Sequence, residues 1–284
     1  MRFPPFQITM PKWQSTPIVF SSPHSGRNYP TDFLQASVLD KTLIRSSEDA
    51  FVDDLIASAP DCGAPLICAT FPRAYLDLNR NSDELDPALI EGVACHFHNP
   101  RVASGLGIIP RVVAQSRAIQ RGKLPLAVAQ ERIVKAWLPY HIALRGLLDV
   151  THWNFGKSLL LDFHSMPQNA LPIAPDGHQV DIVLGDRFGC AADETISDFI
   201  AACFEQMGLK VARNEPFSGA YITKTYGKPA RNQHAVQIEI NRALYMDEVS
   251  VTPKADFAAF RQLLADVILL LTQFDRDQLP LAGE

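Results

Sequence analysis

The sequence predicts an α/β fold, a mainly parallel or mixed sheet packed between helices. Three observations predict it. Short apolar runs recur along the chain, "PIVFS" (17–21), "PLICAT" (65–70), "SLLLDF" (158–163), "DIVL" (181–184) and "AVQIEI" (235–240). Several are continuous rather than alternating, as expected of strands covered on both faces. Stretches with helical periodicity lie between them, and such alternation of strand and helix is the signature of layered α/β folds.

The elements follow in order. After the first strand, "SEDAFVDDLIASA" (47–59) offers a serine N-cap and acids in the first turn, where the helix dipole favours them. Residues 81–121 are rich in turn formers and give no clear element. Residues 126–150 carry a long helical pattern, which Pro139 is expected to kink or divide. Residues 193–207 form a helix that stops at Gly208, and residues 255–274 form the last helix. No repeat or linker interrupts the 284 residues, so one domain spanning 1–284 is expected.

Bulk properties exclude several functions. A net charge of −5 argues against a nucleic-acid partner, which calls for a basic face. The longest apolar run near the C-terminus, "VILLL", is too short to span a bilayer, and the N-terminus lacks a signal-peptide core. Five cysteines without a CxxC pair suit neither a disulfide framework nor a cysteine zinc site, and point to a reducing, cytoplasmic setting. No GxSxG elbow, Walker loop or GxGxxG is present.

Ionisable residues at strand ends carry the functional signal, because sites in such folds form at the carboxyl ends of strands. His24 follows the first strand in "SPHSGR", His164 ends another in "LLLDFHSMP", and Glu239 interrupts the apolar strand "AVQIEIN". Hydrolytic zinc sites take three ligands from His and Asp/Glu and leave a position open. His24 and His164 are the nitrogen candidates, and Glu48 or Asp49 supplies the third ligand, since neighbours on a helix point apart. Glu239 is the expected general base, a carboxylate too costly to bury without a task. "FPRAYLDLNR" places Arg73, Asp77, Asn79 and Arg80 within one short segment. Two arginines allow two tasks, holding a substrate carboxylate and stabilising an oxyanion. The Gly/Ser/Tyr-rich stretch "NEPFSGAYITKTYGKP", with Ser218, Gly219 and Tyr221, has the composition of a substrate-covering loop. His234 is a candidate for supporting the site, and His141 and His152 are expected on helix surfaces or ends. The pair in Cys95-His96-Phe97-His98 lacks a partner cluster nearby, and His178 lies in the turn "PDGHQ".

The segments "SPHSG", "SEDAFVDDL", "FPRAYLDLNR", "LDFHSMP", "NEPFSGAYITKTYGKP" and "HAVQIEINRALYMDE", taken in this order, resemble the N-formylglutamate amidohydrolases, a branch similar to zinc carboxypeptidases and aspartoacylases. The resemblance implies a three-layer α/β/α sandwich around a mixed sheet, with one Zn2+ per chain. It implies His24, His164 and an acid as ligands, with Asp49 aligning better than Glu48. It further implies Glu239 as base, Arg73 at the oxyanion, and Asn79 and Arg80 at the substrate carboxylate. The implied reaction splits the amide of N-formyl-L-glutamate, a small acidic N-acyl amino acid, in histidine breakdown. The alternatives are a deacylase or carboxypeptidase-like hydrolase of another N-acyl amino acid, or a metal-free binding module. Self-association is left open.

Overall fold

The apolar runs assemble into one seven-stranded sheet. A computed structural model of the chain describes residues 3–94, 99–171 and 179–274. The strands are β1 (Phe6–Thr9), β2 (Ile18–Ser22), β3 (Leu66–Ala69), β4 (Ser158–Met166), β5 (Ile182–Gly185), β6 (Val211–Arg213) and β7 (Gln233–Asn241). Their order across the sheet is β1-β3-β2-β4-β7-β5-β6. The inner strands β3, β2, β4 and β7 run parallel, while β1 and the β5–β6 pair run antiparallel to their neighbours β3 and β7. The sheet is therefore mixed.

Register decides which residues share a face. Val19 pairs with Leu160, and Leu160 with Ala235. These three pack with Tyr140, Leu144 and Leu148 of helix α1 (Leu138–Phe155). One residue along each strand, Phe20, Leu161 and Val236 turn to the opposite face. There they meet Ile200 and Phe204 of α2 (Glu194–Gln206) and Leu264 and Ile268 of α4 (Phe257–Leu271). A short helix, α3 (Tyr221–Tyr226), joins the first face through Ile222. Helices on both faces of a central mixed sheet make the three expected layers. Leu161 is fully buried in the second core. Leu161→Ala should cost about 2–5 kcal/mol, read as a lower urea midpoint at unchanged slope.

One helical expectation needs correction and a second runs further than expected. The pattern over 47–59 yields only one α-helical turn, Val52–Leu55, because Phe51 adopts a left-handed φ of 67°. The Asp49 N–H is instead drawn to the His24 carbonyl at 3.0 Å. The pattern over 126–150 runs on to Phe155, and it is divided just before Pro139. An α-helix, Leu126–Arg132, passes through a π-helical turn, Ile133–Trp137, into α1, and Pro139 sits in the first turn of α1. A widened turn accommodates the missing N–H. Gly156, at φ +71°, closes the helix with its N–H on the His152 carbonyl. Strands β1 and β6 were not expected.

Cys68, Cys190 and Cys203 carry free thiols, and no helix among the described residues is long and apolar enough to cross a membrane.

Candidate metal centre

The face that is apolar under α1 turns polar towards the carboxyl ends of the parallel strands. Ser21, Asp162 and Gln237 lie side by side, and one pleat further on His164 pairs with Glu239. The period of two puts all five on one face. His24 arrives from the loop after β2. Gly26 lets that loop close onto the segment that follows β3: a Cβ there would lie 2.2 Å from the Phe71 carbonyl oxygen.

Three ligand atoms converge. His24 Nδ1 lies 3.1 Å from His164 Nδ1, and Asp49 Oδ2 lies 3.0 Å from His164 Nδ1 and 3.4 Å from His24 Nδ1. Ligands at about 2.0–2.1 Å around a tetrahedral zinc ion stand about 3.3 Å apart, so the triangle has the edges such an ion requires. The far sides of both rings support this. His24 Nε2 faces Asp77 Oδ1 at 2.8 Å, and His164 Nε2 faces Asp162 Oδ2 at 2.8 Å. A carboxylate on Nε2 holds the proton there and turns the Nδ1 lone pair inward, the usual support of a metal-bound imidazole. Two inward lone pairs and a carboxylate oxygen repel one another unless positive charge lies between them. A bound cation or a proton supplies it. Burial disfavours charge on His164, but Asp162 and Asp49 outweigh it and lift the imidazole well above its ordinary pKa. Burial likewise opposes ionisation of Asp49, yet bonds from His164 and His24 hold it well below the usual carboxylate range. The residues present thus fit a divalent cation, whose entry would displace protons.

Of the two candidate acids, Asp49 faces the imidazoles and Glu48 does not. Glu48 is turned towards Arg45, at 3.0 Å, and the Tyr29 hydroxyl. Burial raises its pKa against the pull of these partners. The left-handed Phe51 ends the helical reading from which the two acids were judged.

Glu239 is buried beside the triangle and accepts a bond from Gln237 Nε2 at 2.8 Å. Burial pushes its pKa up to about 7; His164 and Arg73 pull it down and Asp49 pushes it further up. Arg73 donates Nε to Asp77 Oδ2 at 3.0 Å and keeps about a quarter of its side chain exposed (27%). His24, Asp77, Arg73, Asn79, Arg80, His164, Gln237 and Glu239 line one cavity of about 440 Å³, with Ser218, Gly219, Arg101 and Arg242.

Asp77 and Asn79 are placed differently from the substrate-binding expectation. Asp77 is spent on His24, Arg73 and the Asn79 N–H. Those partners, Arg73 foremost and then His24, outweigh burial and hold it well below its ordinary pKa. The Asn79 carboxamide accepts from the Ile222 N–H at 2.8 Å and donates to Gln237 Oε1 at 3.2 Å. It ties the start of α3 to β7. Arg80 uses Nε and Nη1 on the carbonyls of Leu106 and Asn79, at 2.9 and 2.7 Å, and no acceptor for Nη2 occurs among the described residues. Gly219, at φ +101°, bends the expected covering loop over the cavity. Tyr221 packs instead on Trp137 and His141 and lines a neighbouring cavity.

A sequence model of N-formylglutamate amidohydrolases matches residues 16–246. The chain belongs to the N-formylglutamate amidohydrolase family. It is therefore an amidohydrolase. It is 29% identical over 257 residues to an N-formylglutamate deformylase of Pseudomonas putida, covering 89% of this chain and 91% of that one. It is 28% identical over 268 residues to the deformylase of Pseudomonas aeruginosa PAO1, covering 92% and 95%. Its fold matches the crystal structure of N-formylglutamate amidohydrolase from Ralstonia eutropha JMP134 with a TM-score of 0.89 and 34% identity, over 98% of this chain and 100% of that one.

For this family member, sequence reasoning overlooked Asp162, Gln237 and Arg242. Asp162 carried the signal used for Glu239, an acid inside a buried apolar strand, two residues from a candidate ligand. Arg242 is 6% exposed and follows the strand that carries Glu239. Three other histidines lie elsewhere. His141 is buried rather than on a surface, bonded to the Tyr226 hydroxyl and the Leu78 carbonyl, both at 2.9 Å, and burial lowers its pKa to about 4. His152 is half-buried on α1. His234 sits at the start of β7 beside Asp193, at the strand end away from Glu239. Cys95, His96, His98 and His178 lie outside the described residues.

Proposed function

We propose that the protein hydrolyses N-formyl-L-glutamate to L-glutamate and formate, with one zinc ion held by His24, Asp49 and His164. The observation that carries this reading is the triangle of His24 Nδ1, His164 Nδ1 and Asp49 Oδ2 beside the Glu239 carboxylate in a cavity. A zinc ion bound there would polarise the formyl oxygen and acidify the attacking water.

The chain's own residues divide the remaining tasks. Glu239 takes the proton of the attacking water and returns it to the leaving amide nitrogen. Its raised pKa suits both transfers near neutral pH. Arg73, anchored through Nε, directs its remaining N–H groups at the oxygen that gains charge in the tetrahedral intermediate. Asp77 holds both Arg73 and His24 and so couples the oxyanion donor to the ligand set. Arg80, through its uncommitted Nη2, and Arg101 offer positive charge to the two carboxylates of the substrate. The expected anchor at Asn79 passes to Arg80, whose Nη1 donates to the Asn79 carbonyl. Residues 1–284 act as one catalytic domain. The free thiols support a reducing, cytoplasmic compartment.

The deciding experiment is formate release from N-formylglutamate by the chelated and the zinc-reconstituted protein. The reading requires activity that is lost on chelation and restored by zinc; activity indifferent to chelation overturns it. N-acetylglutamate and N-formylglutamine, run in parallel, test the acyl group and the second carboxylate. Arg80→Lys keeps the charge and loses the planar fork. It should raise KM roughly tenfold at nearly unchanged kcat, about the contribution of one charge-assisted hydrogen bond. An unchanged KM removes the anchor.

A further inference from the structure

Asp49 presents its two oxygens to different partners. Oδ2 faces the imidazoles, whereas Oδ1 accepts from Arg242 Nη2 at 3.1 Å and from Ser165 Oγ at 3.3 Å. Each of the three nitrogens of Arg242 donates one bond. Its Nε donates to Ser165 Oγ at 3.1 Å and its Nη1 to the Ser46 carbonyl at 3.2 Å. One planar fork therefore clamps the carboxylate, the end of β4 and the segment that leads into Asp49. Arg242 and Ser165 are both buried, at 6% and 5% exposure, so little water competes for these bonds.

We propose that Arg242 is a positioning residue that keeps Asp49 a one-oxygen ligand by holding Oδ1 away from the metal position. This rests on the metal reading above. An aspartate free to turn can offer both oxygens to a cation, and the second oxygen then adds to the ligand number and crowds the position that the substrate carbonyl needs. The clamp leaves that position open. The guanidinium also draws charge from the carboxylate, which leaves a bound cation the stronger Lewis acid. A lysine cannot serve, because three acceptors, one on each guanidinium nitrogen, are spread too widely for a single ammonium. The role differs from those of Asp77 and Asp162, which set the imidazoles rather than the acid.

The test loads the demetallated protein with Co2+, whose visible absorption weakens with each ligand added beyond four. Wild type should give the strong spectrum. Arg242→Gln and Arg242→Lys should still bind one Co2+, with the visible bands reduced several-fold and kcat lowered about 10- to 100-fold, the usual effect of removing a support to a ligand. Methylguanidinium added to Arg242→Ala should restore both the bands and part of kcat, since Arg242 borders the cavity. A folded Arg242→Lys protein with the wild-type spectrum would overturn the proposal, because charge alone would then suffice. So would a weak, six-ligand spectrum in wild type. Failure of wild type to bind Co2+ at all would instead remove the metal reading and this inference with it.

Discussion

Glu239→Gln should reduce turnover of N-formylglutamate by about 10²- to 10⁴-fold, the usual contribution of a positioned general base, while leaving metal content unchanged. The amide keeps the size of the acid, and its carbonyl oxygen can accept the bond that Gln237 Nε2 now gives the Glu239 carboxylate. The fold around β7 should therefore persist. Metal analysis of the purified variant separates a lost base from a lost ligand, and near-normal turnover would end the assignment. The pH profile adds an independent check. A base must be unprotonated to act, so kcat/KM should rise as pH passes through the Glu239 pKa. Burial places that value at about 7, and a cation nearby draws it lower. The acid limb should therefore have its midpoint at or below about 7. Stability changes in the opposite sense. A carboxyl whose native pKa is raised binds more protons folded than unfolded between its ordinary value and about 7, so its contribution favours the folded state at low pH and fades as pH rises through that window.

His164→Ala should remove metal binding and with it essentially all turnover. It deletes one corner of the triangle and leaves Asp162 buried without its imidazole partner, at 0% exposure. Asp162 keeps the Ser21 hydroxyl but loses its cationic partner, and breaking a buried pair costs several kcal/mol, so the variant should also unfold more readily. His164→Gln is the better probe, because it retains a polar group against Asp162 and separates metal loss from unfolding. Equilibrium dialysis against Zn2+ should show affinity reduced by orders of magnitude in a folded protein. Retained stoichiometric binding would show that the cation sits elsewhere.

The inner strands were legible because they are buried on both faces, and their apolar runs are continuous. Strands β1 and β6 escaped because they are edges. Both are short, and β1 is largely exposed, so neither carries a core pattern. The same logic governs the site. His24, His164 and Glu239 stood out because each is polar at the end of, or inside, an apolar run. The choice between Glu48 and Asp49 depended on a left-handed residue two positions beyond Asp49, which no periodicity reveals. Asp77 and Asn79 were legible as site residues but not in their tasks, because the sequence does not show which side chains are already spent on protein partners. Arg242 looked like any charged residue after a strand, since its significance comes from Ser46, Asp49 and Ser165, far from it in the chain.

The central claim is spatial, and a crystal of the zinc-loaded protein tests it most directly through anomalous scattering at the zinc edge. The predicted result is one strong peak per chain, at about 2.0–2.2 Å from His24 Nδ1, His164 Nδ1 and a single oxygen of Asp49, with the Glu239 carboxylate facing the open side. A peak ligated by other residues, or no peak within the triangle at saturating zinc, would contradict it.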